Sequence, residues 1–441
     1  MLHEENKNHF ITLHQKNGLK CSLSETYDQF LQFFKLLYDY SEQVSPKVEE
    51  FLELILKNNE NFNSENILKF NIINFIISFI NMKSPENVLI ASLEIISEFI
   101  YYSDTLKNSL FYPDLFESMQ FIFTYPSTII RKQILMIYVN LTDLDYTTFD
   151  LIEQAKNSFF EQAVYWSSSL NDLECRKKCL VFIYNIVVGS SSLTISEIQN
   201  LLKLLISFLN HEDDELIPNS CWCLIYIFKF YDIEIEFTDL YLCIWNVINT
   251  SATANLLQVL VMALSKITEF PNDLFDKIDF HLLFLFLQSS NKEIQIYSCK
   301  FLSFLMNGGK QYVDILFDYP FLSISEKILQ VGSYKSQFYI LCVLKAIFDQ
   351  GNSEQHICIL SHPLFQNMLI FIEQSELSKI IYLLQSILIS LTSLTTDQLY
   401  YLFKVFLQND IFDTLNLISS SLDETKSQLS LKILSLFDNF N

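Results

Sequence analysis

Apolar residues recur at helical spacing in this chain, and the helical stretches themselves recur. Four segments carry the pattern most plainly: Leu180 to Ile186, Cys221 to Ile227, Val261 to Ile267 and Cys299 to Leu305. In each, the first, fourth and seventh positions are apolar, which is one face of a helix. Taking the sixth position as an anchor and extending both ways gives Glu98, Asn140, Asn185, Tyr226, Lys266, Phe304, Lys345 and Ser390. The spacings are 42, 45, 41, 40, 38, 41 and 45 residues. Two before the anchor lie Ile96, Tyr138, Ile183, Leu224, Leu264, Leu302, Val343 and Leu388. Five before it lie Leu93, Leu135, Leu180, Cys221, Val261, Cys299 and Ile340, with Gln385 the one polar exception.

Each unit therefore predicts a long helix with one buried stripe, the anchor lying beside the stripe. A second apolar helix precedes it, as in Ile198 to Leu209, Leu240 to Ile248 and His281 to Gln288. Pro113, Pro320 and Pro363 fall at the expected first turns of such helices, where a missing N–H costs little. Polar turns at Asn210 to Asp214 and at Asn291 separate the pair. One unit cannot bury its stripe alone, so neighbours must stack. A period near 42 is that of armadillo or HEAT units, and a right-handed superhelix with one long groove is expected.

Composition narrows the function. Lys+Arg total 29 against Asp+Glu 51, a net charge of −22, so a nucleic-acid binder is not expected. Only 6 Gly and 8 Pro occur, too few for a β-sandwich or a Gly-rich nucleotide fold. The 9 Cys are an odd number and sit mostly in apolar runs (Cys179, Cys221, Cys223, Cys243, Cys299, Cys342), which reads as buried free thiols. Neither a signal peptide nor about 20 consecutive apolar residues is found. Gly308-Gly309-Lys310 lacks phosphate-loop spacing and reads as a helix stop before the next unit. His356 and Cys358 alone do not make a zinc site, and no catalytic constellation stands out.

Glu212 to Tyr226, with Pro218, Cys221, Trp222 and Tyr226, resembles the fourth repeat of the importin-α family. Gly351 to Ile357 is similar to that family's seventh repeat, and Lys379-Ile380-Ile381 to the opening of the eighth repeat's long helix. The stretch from Leu429 to Phe440 resembles the capping helix of the tenth. The resemblance is collinear over about residues 25 to 440. It implies an all-α armadillo-repeat solenoid of about ten units, preceded by a poorly ordered tail over 1–24.

It also implies a groove in which Trp faces bracket Lys or Arg stems of an extended peptide and Asn side chains bond its backbone. Here the Trp row reads Glu94, Met136, Val181, Trp222, Met262, Lys300, Leu341 and Ser386, and the Asn row is the anchor series. Asn140, Asn185, Asn219, Trp222 and Tyr226 are the candidate peptide-binding residues. Lys300 and Lys345, with Lys266 beside them, enter the later groove, where a basic peptide is repelled. The family's basic importin-β-binding segment has no counterpart in 1–24, which hold Lys7, Lys16 and Lys20 against Glu4 and Glu5.

Each candidate has a plainer reading: Trp222 as a core aromatic, Asn140 and Asn185 as solvent-facing amides, Glu94 and Glu98 as a solvated helix face. The expectation is an importin-α-like adaptor in the cytoplasm or nucleus, binding basic nuclear-localisation peptides as cargo, with transport receptors as further partners. The alternative is an armadillo scaffold that has lost cargo reading. No enzyme, cofactor, metal, nucleic acid, membrane or small-molecule substrate is expected.

Overall fold

A computed structural model describes residues 72–440, apart from 103–106, 108–112, 144–147, 191–192, 210–215, 234–235, 249–252, 268–269, 272 and 376–377. The expected tail over 1–24, the start of the repeats at 25 and the turn at Asn210 to Asp214 lie outside the described residues. Among the described residues every regular element is helical, and the fold is an all-α solenoid. The chain divides into two compact units, the first ending at Phe208 and the second beginning at Leu209.

Unit 1 holds α1 (Ile72–Ile77), α2 (Glu86–Tyr102), α3 (Pro113–Phe121), α4 (Thr128–Leu141), α5 (Phe149–Ser169), α6 (Leu173–Gly189) and α7 (Ile195–Leu209), which ends at the boundary. Unit 2 opens with α8 (Ile217–Phe230), α9 (Phe237–Val247), α10 (Thr253–Leu264), α11 (Phe280–Leu287) and α12 (Lys292–Leu305). Three triplets follow, each of a first helix, a second helix and a last helix. They are α13 (Lys310–Asp314), α14 (Phe321–Val331) and α15 (Tyr334–Gln350); α16 (Ser353–Leu360), α17 (Leu364–Gln374) and α18 (Ser378–Thr392); and α19 (Thr396–Gln408), α20 (Ile411–Ser419) and α21 (Glu424–Ser435). Within a unit the last helix of each repeat packs on the next: α2 on α4 and α4 on α6, then α8, α10, α12, α15, α18 and α21 in series. The second helices α14, α17 and α20 form a parallel row of their own.

The stripe read from the sequence is this stacking surface. Leu135, Tyr138 and Leu141 of α4, Leu180, Ile183 and Ile186 of α6, and Cys299, Leu302 and Leu305 of α12 are all fully buried. Removing each such side chain from water contributes about 1.5–3 kcal/mol, which chain ordering largely offsets. Aromatics fill the space between layers. The Tyr138 ring stacks on Phe159 at 4.1 Å, and its hydroxyl accepts a hydrogen bond from Ser158 at 3.1 Å. Burial pushes that phenol well above its usual range.

Polar side chains set the helix starts. Asp172, Asp279, Asn291 and Asp423 accept backbone N–H groups at the N-termini of α6, α11, α12 and α21. Asn352 with Gln355, and Thr395 with Gln398, form complete capping boxes. Gly309 takes φ 104°, a conformation that favours glycine, and ends the turn Met306–Gly308 before α13. The expected helix stop therefore stands. Cys179, Cys221, Cys223, Cys243 and Cys299 are buried and outside any disulfide, as expected, whereas Cys342 is half-buried.

One frame needs correction. On α18, Leu384 and Ile387 are buried, Gln385 is exposed and Ile389 is 66% exposed. The eighth repeat is displaced by one residue: Ile389 is the outward anchor, and Ser390 points inward to donate to the Phe348 carbonyl at 3.2 Å. Ser386 is likewise buried and donates to Asp349 Oδ1 at 2.5 Å. The polar exception at Gln385 marked this displacement.

Candidate peptide-binding faces

In unit 1 the last helices α2, α4 and α6 carry their polar residues beside the buried stripe. Glu94 accepts from Gln133 at 3.2 Å, one repeat away. Asn140 donates to Ser97 Oγ at 3.4 Å, and Asn185 donates to Thr142 Oγ1 at 3.2 Å. Both amides thus reach back to the preceding repeat. Asn185 is only 8% exposed, so its amide serves mainly as an inter-repeat tie. Asn140 is half-buried. Glu98 lies further along the α2 face. Burial first, and Glu94 second, push its carboxyl up to about 7. Lys132 pairs with Asp172 at 3.1 Å and Lys178 with Glu174 at 3.3 Å.

In unit 2, α8 places Asn219, Trp222 and Tyr226 at spacings of three and four, on one face. Trp222 is 41% exposed, which removes the core-aromatic reading. Pro218 near the helix start and the buried positions Cys221, Leu224 and Phe228 hold that face outward. Asn219 and Tyr226 are half-buried. The Lys229 ammonium sits 5.3 Å from the Tyr226 ring centroid and 5.0 Å from that of Phe230. A lysine of the chain itself therefore takes the position a cationic ligand would seek at Tyr226. Of the five residues singled out from the sequence, Asn140 and Asn185 belong to unit 1 and Asn219, Trp222 and Tyr226 to unit 2.

Further along unit 2, α10, α12 and α15 enclose a cleft of about 540 Å³. Met262 and Lys300 line it, as the Trp row implies. Leu341 does not, since it is 3% exposed in the core. Its place on α15 is taken by Lys335, Phe338 and Tyr339. The Lys300 ammonium lies 5.7 Å from the Tyr339 ring centroid and 6.0 Å from that of Phe304. Burial and then the neighbouring Lys335 hold the Lys300 ammonium below its usual range. Burial, then Glu293 and Tyr339, push the Tyr297 phenol up. Tyr297 follows Glu293 by four residues and precedes Lys300 by three, so one α12 face supplies all three. The helical period could have found Tyr297. Nothing local in the sequence pairs it with Tyr339. Lys345 and Lys266 are otherwise engaged: Lys345 pairs with Asp349, and Lys266 with Asp232 at 3.8 Å.

Among the described residues no group of three His, Cys, Asp or Glu side chains could hold a metal ion. No described helix is long and apolar enough to cross a membrane. No protein-family model matches the chain, and no curated protein matches it. Solved structures do. One engineered protein aligns over 93% of this chain and 95% of its own, with a TM-score of 0.61 at 13% identity. A designed armadillo repeat protein aligns over 62% of this chain and 99% of its own, with a TM-score of 0.37 at 14% identity. Another, in complex with the peptide (KR)4, covers 62% of this chain and 98% of its own, with a TM-score of 0.35. The first, together with the helices stacked in series, supports an all-α helical-repeat solenoid. At that identity the likeness extends to the fold alone.

Proposed function

We propose that the chain is a protein-interaction scaffold, not an enzyme, and that it docks extended peptide segments on the exposed face of its last helices. One observation carries this reading. In unit 2 the contiguous row α8, α10, α12 and α15 keeps aromatic rings at its surface, from Trp222 to the cleft lined by Tyr297, Phe338 and Tyr339. Aromatic rings flanked by amides and charges suit recognition of peptides, because they give contact area at low entropic cost. The test is selection of binding peptides from a random display library on the purified protein. Trp222→Ala and Tyr339→Ala should abolish binding of most selected sequences. Val331→Ala and Leu417→Ala, at exposed apolar positions on the second helices α14 and α20, should leave it intact. Equal losses at both pairs, or no selectable peptide, would overturn the proposal.

A second reading is an importin-α-like adaptor that takes basic nuclear-localisation peptides and acts between cytoplasm and nucleus. The exposed Trp222, with Asn219 and Tyr226 on its face, favours it. The inter-repeat bonds of Asn140 and Asn185 and the Lys229 contact at Tyr226 weigh against it. On this reading a labelled lysine-rich peptide binds at micromolar concentration, more weakly at high salt and more weakly still in Trp222→Ala. No binding at low salt would remove it.

A further inference from the structure

We propose that the α10–α12–α15 cleft is a binding site for an acidic peptide segment of a partner protein, its carboxylate held between Lys300 and Lys335. The proposal rests on the scaffold reading and names the ligand class for one part of the face.

Acidic residues outnumber basic ones 51 to 29, and Lys132, Lys156, Lys178, Lys266, Lys277 and Lys345 pair with carboxylates. Among the described residues, no carboxylate lies within ion-pair distance of Lys300 or Lys335, although both line the same cleft. Burial, and then the charge of Lys335, disfavour the charged form of Lys300. Lys300 is half-buried and Lys335 exposed at the same cleft, so a carboxylate placed there would offset the repulsion acting on Lys300.

The walls fit the rest of such a ligand. Tyr297 and Tyr339 bring phenol hydroxyls that can donate to a carboxylate oxygen, and Phe338 and Met262 give apolar surface for a neighbouring side chain. Glu293 is the one acidic group lining the cleft. It disfavours a dianionic phosphate more than a single carboxylate, which is why an Asp or Glu side chain is the better match. A volume of about 540 Å³ accommodates two or three side chains. The overall charge of −22 makes the test specific, since the chain as a whole repels an acidic peptide and only a local cationic site can hold it.

The experiment uses the full chain and three rhodamine-labelled peptides that share one Phe within six Glu, six Gln or six Lys. The Glu peptide should bind, the Gln peptide at least tenfold more weakly, and the Lys peptide not in this cleft. Lys300→Gln and Lys335→Gln should each weaken the Glu peptide about tenfold. Lys300→Arg should retain most binding, and Lys404→Gln, an exposed position on α19, should change nothing. Unchanged circular dichroism shows that each variant is folded. Equal affinity for the Glu and Gln peptides, or no effect of either lysine substitution, would overturn the proposal. Display-selected peptides that bind through Trp222 while the Glu peptide does not would sink this inference and leave the scaffold reading standing. Failure of every peptide would sink both.

Discussion

Glu98 offers the sharpest physical test of unit 1. Its carboxyl sits on α2, partly buried, with Glu94 four residues before it, and is pushed from an ordinary 4.5 up to about 7. An acid whose folded pKa is raised binds more protons in the folded chain than in the unfolded one. Stability is therefore lost as pH rises from 4.5 toward 7, and no difference remains below 4.5, where both states are protonated. A shift of that size corresponds to about 3 kcal/mol at full ionisation. Solvent reaching the carboxyl reduces this to about 2 kcal/mol. Glu98→Gln keeps the shape and removes the charge. At pH 8 it should raise the thermal midpoint of unit 1 by about 4–8 °C, given about 2–4 °C per kcal/mol for a body of this size. At pH 4 the gain should vanish. The assay is a set of circular-dichroism melts of both proteins from pH 4 to pH 8. A gain that does not depend on pH would show that the carboxyl is not held neutral by burial. No gain at pH 8 would refute the reasoning outright.

Three further outcomes follow from single contacts. Asn185→Ala removes the bond to Thr142 at a buried position and should cost about 1 kcal/mol, more than Asn140→Ala at its longer, half-exposed bond; denaturant midpoints check the ranking. Lys426→Met leaves the carbonyls of Ile372 and Ser375 without the buried ammonium, 4% exposed, that now serves both, and should cost about 2–3 kcal/mol of C-terminal stability by the same measurement. Among the described cysteines Cys358 is the exposed one, while burial raises the thiols of Cys179, Cys221, Cys223 and Cys299 and pushes Cys175 up to about 12. A thiol reagent applied to native protein should lose a fast-reacting group in Cys358→Ser and none in Cys223→Ser.

The solenoid was legible because stacking places a strict demand on three positions per repeat. Tyr138, Ile183 and Leu302 satisfy that demand with side chains of different shape but the same burial. The misread repeat at Gln385 came from a displacement of a single residue that period counting averages away. The face was harder to read. Trp222 stood out because only 3 Trp occur, whereas 40 Phe and 22 Tyr make any one exposed ring uninformative. Tyr297, Lys335 and Tyr339 meet across a repeat spacing of about forty residues, and no local pattern announces that meeting. Asn140 and Asn185 have the residue type that would bind a peptide, and their bonds to Ser97 and Thr142 of the preceding repeat were likewise out of reach of any local pattern.

Docking of peptides on the face of the last helices is tested by site-specific photo-crosslinking, with a photoreactive phenylalanine placed in turn at Trp222, Phe338 and Val331. Irradiation with display-selected peptides, followed by mass spectrometry, reads which positions touch them. Crosslinks are expected from 222 or 338 and none from 331, which lies on the second-helix row; crosslinks concentrated at 331, or equal at all three positions, would overturn the proposed docking face.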